Sequence, residues 1–184
     1  FDSVNTSAAV FDPDKLSWLN EHYIKTTAPE ELAQSLEPFL ISSGILKEGH
    51  GLDFAEIARV IPSLNQRAKT LIEMAEKSAF YFKKEVEFDE KAKTKFLTAE
   101  ARPLLEKVIA GLSELQNFSA EEIESLFKKI VEEEGMKLGK LAQPVRVALT
   151  GTTVSPGIYD VILLLGKEET LARLKQALPE RPGL

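Results

Sequence analysis

The stretch KLGKLAQPVRVALTGTTVSPG, residues 137–157, contains three basic residues and no acidic residue. Its pattern predicts a short helix over residues 138–149, a turn rich in glycine and threonine, and a second short helix over residues 156–165. The acid-free region is longer than the quoted stretch and covers residues 135–159. A fold built from short helices joined by such turns is therefore expected here.

The remainder of the chain is acidic, which makes this region unusual. The 184 residues include 29 Asp and Glu against 23 Lys and Arg, for a formal net charge of -6. A second acid-free region, residues 57–72, contains Arg59, Arg67 and Lys69. The net negative charge argues against non-specific binding to DNA or to membranes. A negatively charged protein can still have a local basic face, because charges are screened over about 8 Å.

Helical periodicity continues through almost the whole chain, and alternation typical of strands does not persist. N-caps are predicted at Asp12, Asp89 and Ser119, the last with Glu122 as a capping box. Further helices are predicted over the following residues: 13–24, 29–42, 53–61, 65–82, 98–116, 120–134 and 168–178. The fold class is all-α, and the polar link at residues 83–88 predicts two small subdomains, 1–84 and 85–184.

Composition limits the class of protein further. The chain is long enough for a substantial core, contains no Cys, and has no apolar run that could span a membrane. We therefore expect a cytoplasmic protein without disulfides, thiolate metal sites or membrane contacts. The first residue is Phe1 rather than Met, which suggests a piece of a longer protein.

Residues for catalysis are scarce. The two histidines, His22 and His50, are far apart and are interpreted as ordinary structural or surface residues. The segment LTGTTVSPG lacks the spacing and the lysine of a phosphate-binding P-loop, and no G-x-S-x-G nucleophile motif occurs. No metal or other cofactor is expected, and the chain alone is not expected to be an enzyme.

Recognition of RNA is the chemistry that the acid-free stretch favours. Ser155, Pro156 and Gly157 predict a helix start with a hydroxyl cap, Thr150 adds a hydroxyl, and Arg146 precedes the turn on the adjacent helix. One alternative is a loop that only satisfies its own hydroxyl groups. Another is a helical protein–protein interaction module that binds no RNA.

Three segments carry a resemblance to a known family: KLSWLNEHYIK, RAKTLIEMAEKSAFYF and LGKLAQPVRVALTGTTVSPGIYDVILLLGKEETLARL. They resemble the C-terminal, anticodon-binding region of bacterial glutamyl-tRNA synthetase over essentially the whole chain. The resemblance implies the arrangement called an α-helix cage and a role in protein biosynthesis. The HIGH-type and KMSKS-type motifs of such a synthetase are absent from this sequence, so use of ATP and magnesium is expected only for the parent enzyme.

The resemblance also implies roles for individual residues. Arg67 matches the arginine that reads the third anticodon base, and Arg146 the arginine near the first base. Ser155 stands where relatives often have Thr, in the segment that contacts the first two bases. The implied partner is tRNA for glutamate, bound by a monomer; whether tRNA for glutamine is also accepted stays open. The complete set of candidate RNA-binding residues is Arg67, Lys140, Gln143, Arg146, Thr150, Ser155, Pro156, Gly157 and Ile158.

The aromatic residues near these motifs have simpler interpretations. Trp18 and Tyr23 are expected to be core or stem-contact scaffold rather than stacking platforms. Phe80, Tyr81 and Phe82 are expected at the contact between the two subdomains.

Overall fold

The computed structural model describes residues 12–180, and that part of the chain is helical without a strand. The all-α fold class is therefore confirmed. The helices are α1 Pro13–Thr26, α2 Pro29–Ser42, α3 Phe54–Ala58, α4 Ile61–Leu64, α5 Leu71–Phe82, α6 Glu90–Phe96, α7 Arg102–Glu114, α8 Ala120–Glu133, α9 Leu138–Thr150, α10 Ile158–Leu165 and α11 Lys167–Gln176. Within the described range, no helix has the length and apolarity required to cross a membrane.

Side-chain caps begin several of these helices where the sequence predicts them. The carboxylate of Asp12 accepts hydrogen bonds from two backbone N–H groups of α1, and that of Asp89 accepts one from Ala92. Ser119 accepts from the backbone N–H of Glu122 at 3.3 Å, which confirms the cap itself. These bonds satisfy N–H groups that lack a partner within the helix, and so they define where each helix starts.

Four predicted boundaries are wrong. The helix predicted over 65–82 begins only at Leu71, where Thr70 provides the N-cap, and Pro62 lies in the first turn of α4 rather than ending α3. The helix predicted over 98–116 is divided into a single 3-10 turn, Ala99–Ala101, and α7. The helix predicted from residue 156 begins at Ile158.

Buried apolar side chains form two separate clusters. The first is built by α1–α5, with Leu36 and Leu64 fully buried in it. The second is built by α7–α11 and includes Leu105 and Phe127. Two cores on either side of the 83–88 link support the predicted division into subdomains, and the boundary after residue 84 stays a prediction.

The end of α5 contacts both clusters. Phe80 packs against the second cluster, whereas Tyr81 and Phe82 pack against the first. Burial raises the pKa of Tyr81 to about 12, and its hydroxyl group lies 3.2 Å from that of Ser63. The expected position of these aromatic residues between the two parts of the chain is therefore observed.

The aromatic residues of α1 are not core residues. Trp18 is 63% exposed and Tyr23 is 60% exposed, so the core interpretation is wrong for both. The Trp18 ring stacks on His22, with the ring centroids 5.6 Å apart. His50, by contrast, has a structural role, because its ring nitrogens contact Glu37 and the backbone N–H of Leu52.

Candidate nucleic-acid interface

A groove of about 660 Å³ lies where the two parts of the chain meet. Its walls come from the turn before α5, from the second half of α5, from the link that follows, and from the loop between α9 and α10. We call it the junction groove. Its lining residues are Leu64, Arg67, Glu76, Lys77, Ala79, Phe80, Lys83, Glu85, Val86, Glu87, Thr150, Thr152, Val154, Ser155 and Pro156.

Arg67 reaches this groove from a turn and not from a helix. The turn follows α4, and the backbone N–H of Arg67 donates to the carbonyl of Leu64 at 2.8 Å. The backbone carbonyl of Arg67 accepts a hydrogen bond from the ammonium group of Lys77 on α5. The exposed side chain therefore projects from a turn that is fixed at both sides. The helix predicted over 65–82 would place Arg67 near a helix N-terminus, whose partial positive charge would add to its own, but α5 begins only at Leu71.

Arg146 is half-buried on α9, and its guanidinium group is already engaged. One of its terminal nitrogens donates to the hydroxyl of Ser155 and to the carbonyl of Pro156, the latter at 2.7 Å. Burial lowers the pKa of Arg146, and the positive charge of Arg67 lowers it further. Arginine remains charged at neutral pH despite such shifts. Ser155 and Pro156 line the junction groove, so the Arg146 guanidinium is bonded to the groove lining although Arg146 is not itself part of it.

The loop between α9 and α10 is more closed than the sequence suggests. Thr150 is buried, although it borders the groove, and its hydroxyl donates to the carbonyl of Arg146 at 2.9 Å; a role for Thr150 in RNA binding stays a prediction. Pro156 and Ile158 are buried as well. Of the candidate RNA-binding residues in this loop and at its two ends, only Ser155 and Gly157 are accessible to solvent.

Ser155 is not the N-cap of α10, contrary to the prediction. The cap position belongs to Gly157, which makes no side-chain cap hydrogen bond. The Ser155 hydroxyl contacts Arg146 and the carbonyl of Pro156 instead. A Cβ added to Gly157 would lie 2.6 Å from a carboxylate oxygen of Asp160, so a negative charge already lies at this helix start. A phosphate is therefore not favoured there.

Two further candidates lie outside the groove lining. Lys140 is exposed in the first turn of α9, and Gln143 is half-buried one turn later. The side-chain oxygen of Gln143 is buried and lacks a hydrogen-bond partner within the described residues. Neither residue lines the junction groove with Arg67, and a direct role for either in RNA binding stays a prediction.

The charge of the groove is balanced, although both acid-free regions border it. Three glutamates line it, and they come from α5 and from the link. Glu87 is paired with Lys83 at 2.7 Å. The floor contains apolar side chains, including Phe80 and Val86. Such a groove suits the flat apolar faces of bases, with arginines addressing their edges, better than it suits a row of phosphates.

Sequence reasoning missed two residues that shape this groove. Arg173 on α11 is only 3% exposed and donates to three backbone carbonyls at the groove's base. Gly151 has a φ of 77°, and a Cβ there would lie 1.9 Å from the carbonyl oxygen of Glu87. Arg173 also pairs with Glu169 at the i,i+4 spacing common on helix surfaces, so its burial left no signal in the sequence.

Comparison with known proteins identifies the class to which these features belong. A family model described as the anticodon binding domain matches residues 31–178. The chain therefore belongs to the anticodon-binding domain family.

Similar proteins narrow the identification. Glutamate–tRNA ligases from Geotalea uraniireducens and Thermodesulfovibrio yellowstonii are each 48% identical to this chain over 177 residues, which is 96% of it. The chain spans only 37% and 38% of those relatives. A solved glutamate tRNA ligase from Elizabethkingia meningosepticum superposes with a TM-score of 0.77 at 25% identity, over 91% of this chain and 32% of that one. The resemblance to glutamyl-tRNA synthetase is thus confirmed.

Proposed function

We propose that this chain is the anticodon-recognising part of a glutamate–tRNA ligase and binds the anticodon loop of tRNA for glutamate in the junction groove. The observation that carries the proposal is that Arg67 lines the junction groove while Arg146, from the other part of the chain, is hydrogen-bonded to Ser155 and Pro156 of the same lining. Each guanidinium offers a planar fork of donors, which suits the edge of an unstacked base.

The two arginines have different roles in this proposal. Arg67 is exposed and its side chain is free to turn toward a base edge, so it reads the base directly. Arg146 is held by Ser155 and Pro156, so it fixes the loop wall while its remaining N–H groups contact RNA. Bases enter the groove, and the phosphates stay at its rim because the lining has no excess of positive charge to attract them: three glutamates face three basic residues.

The whole ligase is part of the proposal. Attachment of glutamate to tRNA, with ATP and magnesium, would belong to the part of a ligase that lies outside the matched residues. Among the described residues, no group of three His, Asp or Glu side chains is arranged to hold a metal ion. We also propose that the chain acts in the cytoplasm and binds tRNA as a monomer.

Binding to an isolated anticodon stem-loop tests the proposal. The chain should bind the stem-loop of tRNA for glutamate, and affinity should fall as salt rises, with a slope of about -0.7 per neutralised phosphate. A stem-loop closed by a different loop is the control. Absence of binding, or equal binding to the control, would reject anticodon recognition and favour a protein-interaction module.

Replacing Ser155 with alanine should weaken RNA binding by about 1–2 kcal/mol, because Arg146 loses an acceptor that orients its guanidinium. The melting temperature should change little, since Ser155 does not cap α10. Ser119→Ala is the matched control: it removes a true N-cap and should lower the melting temperature without changing RNA affinity. A lower melting temperature with unchanged RNA affinity in Ser155→Ala would mean that Ser155 has only a structural role.

Replacing Glu76 with glutamine should strengthen RNA binding by about 0.2–1 kcal/mol, because an exposed negative charge leaves the groove wall. The gain should shrink as salt is raised. Titration of both proteins at two salt concentrations measures it. Glu48→Gln, which removes an exposed charge outside the groove lining, is the control with the same change in net charge.

A further inference from the structure

Arg173 is almost fully buried, yet it carries a charge and makes hydrogen bonds in several directions. Its terminal nitrogens donate to the carbonyls of Phe80 at 2.7 Å, Leu149 at 2.9 Å and Lys83 at 2.8 Å. The remaining nitrogen, Nε, pairs with Glu169 at 2.6 Å. Burying a guanidinium is costly unless its donors are satisfied, and here the satisfied donors face the backbone.

The carbonyls that Arg173 binds belong to both parts of the chain. Phe80 lies in α5 and Lys83 is the C-cap of that helix, so both carbonyls belong to the predicted first subdomain, although the Phe80 side chain packs against the second cluster. Leu149 lies in the last turn of α9, within the second cluster. Arg173 itself is on α11, which also belongs to the second part. One guanidinium group therefore ties the end of α5 to the end of α9.

The same carbonyls lie directly beneath the junction groove. Phe80 and Lys83 line one wall, and Leu149 immediately precedes Thr150, which lines the other. The link that follows Lys83 is held to the loop after α9, because the N–H of Asp89 donates to the carbonyl of Gly151 at 2.9 Å. The spacing of the two groove walls is thus set at the backbone by Arg173 and by the link.

We propose that Arg173 is a positioning residue: it holds α5 and the end of α9 at a fixed separation, and thereby sets the distance between Arg67 and Arg146. The first half of this statement concerns the protein alone. The second half rests on the proposed function, because the distance matters only if both arginines address one RNA loop. Arg173 does not itself contact RNA.

A distance measurement across the junction tests the first half. The chain has no Cys, so cysteines introduced at the exposed residues Gln34 on α2 and Lys129 on α8 would be the sole attachment points for spin labels. Pulsed dipolar EPR should give a narrow distance distribution for the labelled parent protein. Arg173→Met should shift or broaden it, since three carbonyls lose their donor. Arg173→Lys, with a single ammonium group, should give an intermediate distribution. It replaces the methionine variant in the test if that variant does not fold.

Two control variants separate positioning from general stability. Glu169→Gln removes the negative charge beside Nε but leaves the three carbonyl bonds, and it should keep the narrow distribution. Val108→Ala opens a cavity within the second cluster but leaves the guanidinium of Arg173 in place, and it should lower the melting temperature with the distribution unchanged. A distribution in Arg173→Met with the same mean distance and the same width as in the parent overturns the proposal.

RNA binding tests the second half. Affinity of the Arg173 variants for the anticodon stem-loop should fall by about tenfold or more, the loss expected when one charged hydrogen bond no longer forms. Val108→Ala should bind normally at temperatures well below its melting point. A broadened distribution with unchanged affinity overturns the link to the groove. If the parent protein binds no stem-loop, the proposed function fails while the distance result for Arg173 stands.

Discussion

Replacing Gly151 with alanine is expected to destabilise the protein by about 2–5 kcal/mol, the sum of two independent costs. The first is backbone strain, because Gly151 has a φ of 77°, which disfavours any residue with a Cβ. The second is steric, because the new Cβ would lie 1.9 Å from the carbonyl oxygen of Glu87. The link cannot retreat easily, since the N–H of Asp89 is bonded to the carbonyl of Gly151.

A matched glycine separates the two costs. Gly135 follows α8 with a φ of 59°, and a Cβ there would have no atom within 4 Å. Gly135→Ala should therefore cost only the strain, about 1–2 kcal/mol. Urea unfolding of both variants measures the difference. If Gly151→Ala costs no more than Gly135→Ala, the link does not pack against Gly151 as closely as described.

Replacing Arg67 with glutamine is expected to reduce discrimination at the third anticodon base by about 1–3 kcal/mol, if base readout follows the scale of bidentate contacts in DNA. The guanidinium can address two acceptors on one base edge, and neither an amide nor an ammonium group reproduces that fork. Arg67→Lys should keep general affinity and lose much of the discrimination. Binding of each protein to two stem-loops that differ only in the third anticodon base provides the measurement.

Arg59 offers the matched control for this prediction. It lies in the same acid-free region and is also exposed, but it borders a different depression, with Tyr81 and Leu164. Arg59→Gln makes the same change of charge and should leave discrimination unaltered. Equal losses of affinity for both stem-loops in Arg67→Gln would mean that Arg67 only neutralises a phosphate.

The helices could be predicted because the residues that start them lie next to them in the sequence. Asp12, Asp89 and Ser119 each cap the helix that directly follows them. The apolar stripe that predicted a helix up to Phe82 has its first buried member at Met74, so the pattern itself does not define a start at residue 65. Arg67 was therefore assigned to a helix when it lies in a turn.

The junction groove could be predicted only in part. The acid-free regions indicated Arg67 and Arg146. The order of charges along the chain does not show which acidic residues the fold places beside those arginines, and Glu76 lines the same groove as Arg67. Burial of Arg173 depends on backbone carbonyls that no side-chain pattern encodes. Ser155 was read as a cap because Ser-Pro-Gly is typical of helix starts, whereas its hydroxyl faces Arg146.

The most direct test of anticodon recognition is the affinity of the unaltered chain for a series of stem-loops with one base changed at a time. Recognition in the junction groove predicts tightest binding to the anticodon of tRNA for glutamate, with a loss of about 1–3 kcal/mol for a change at an anticodon base. Changes in the stem should have little effect. Equal affinity for every loop sequence would contradict the account, because a groove that only attracts the backbone cannot tell one base from another.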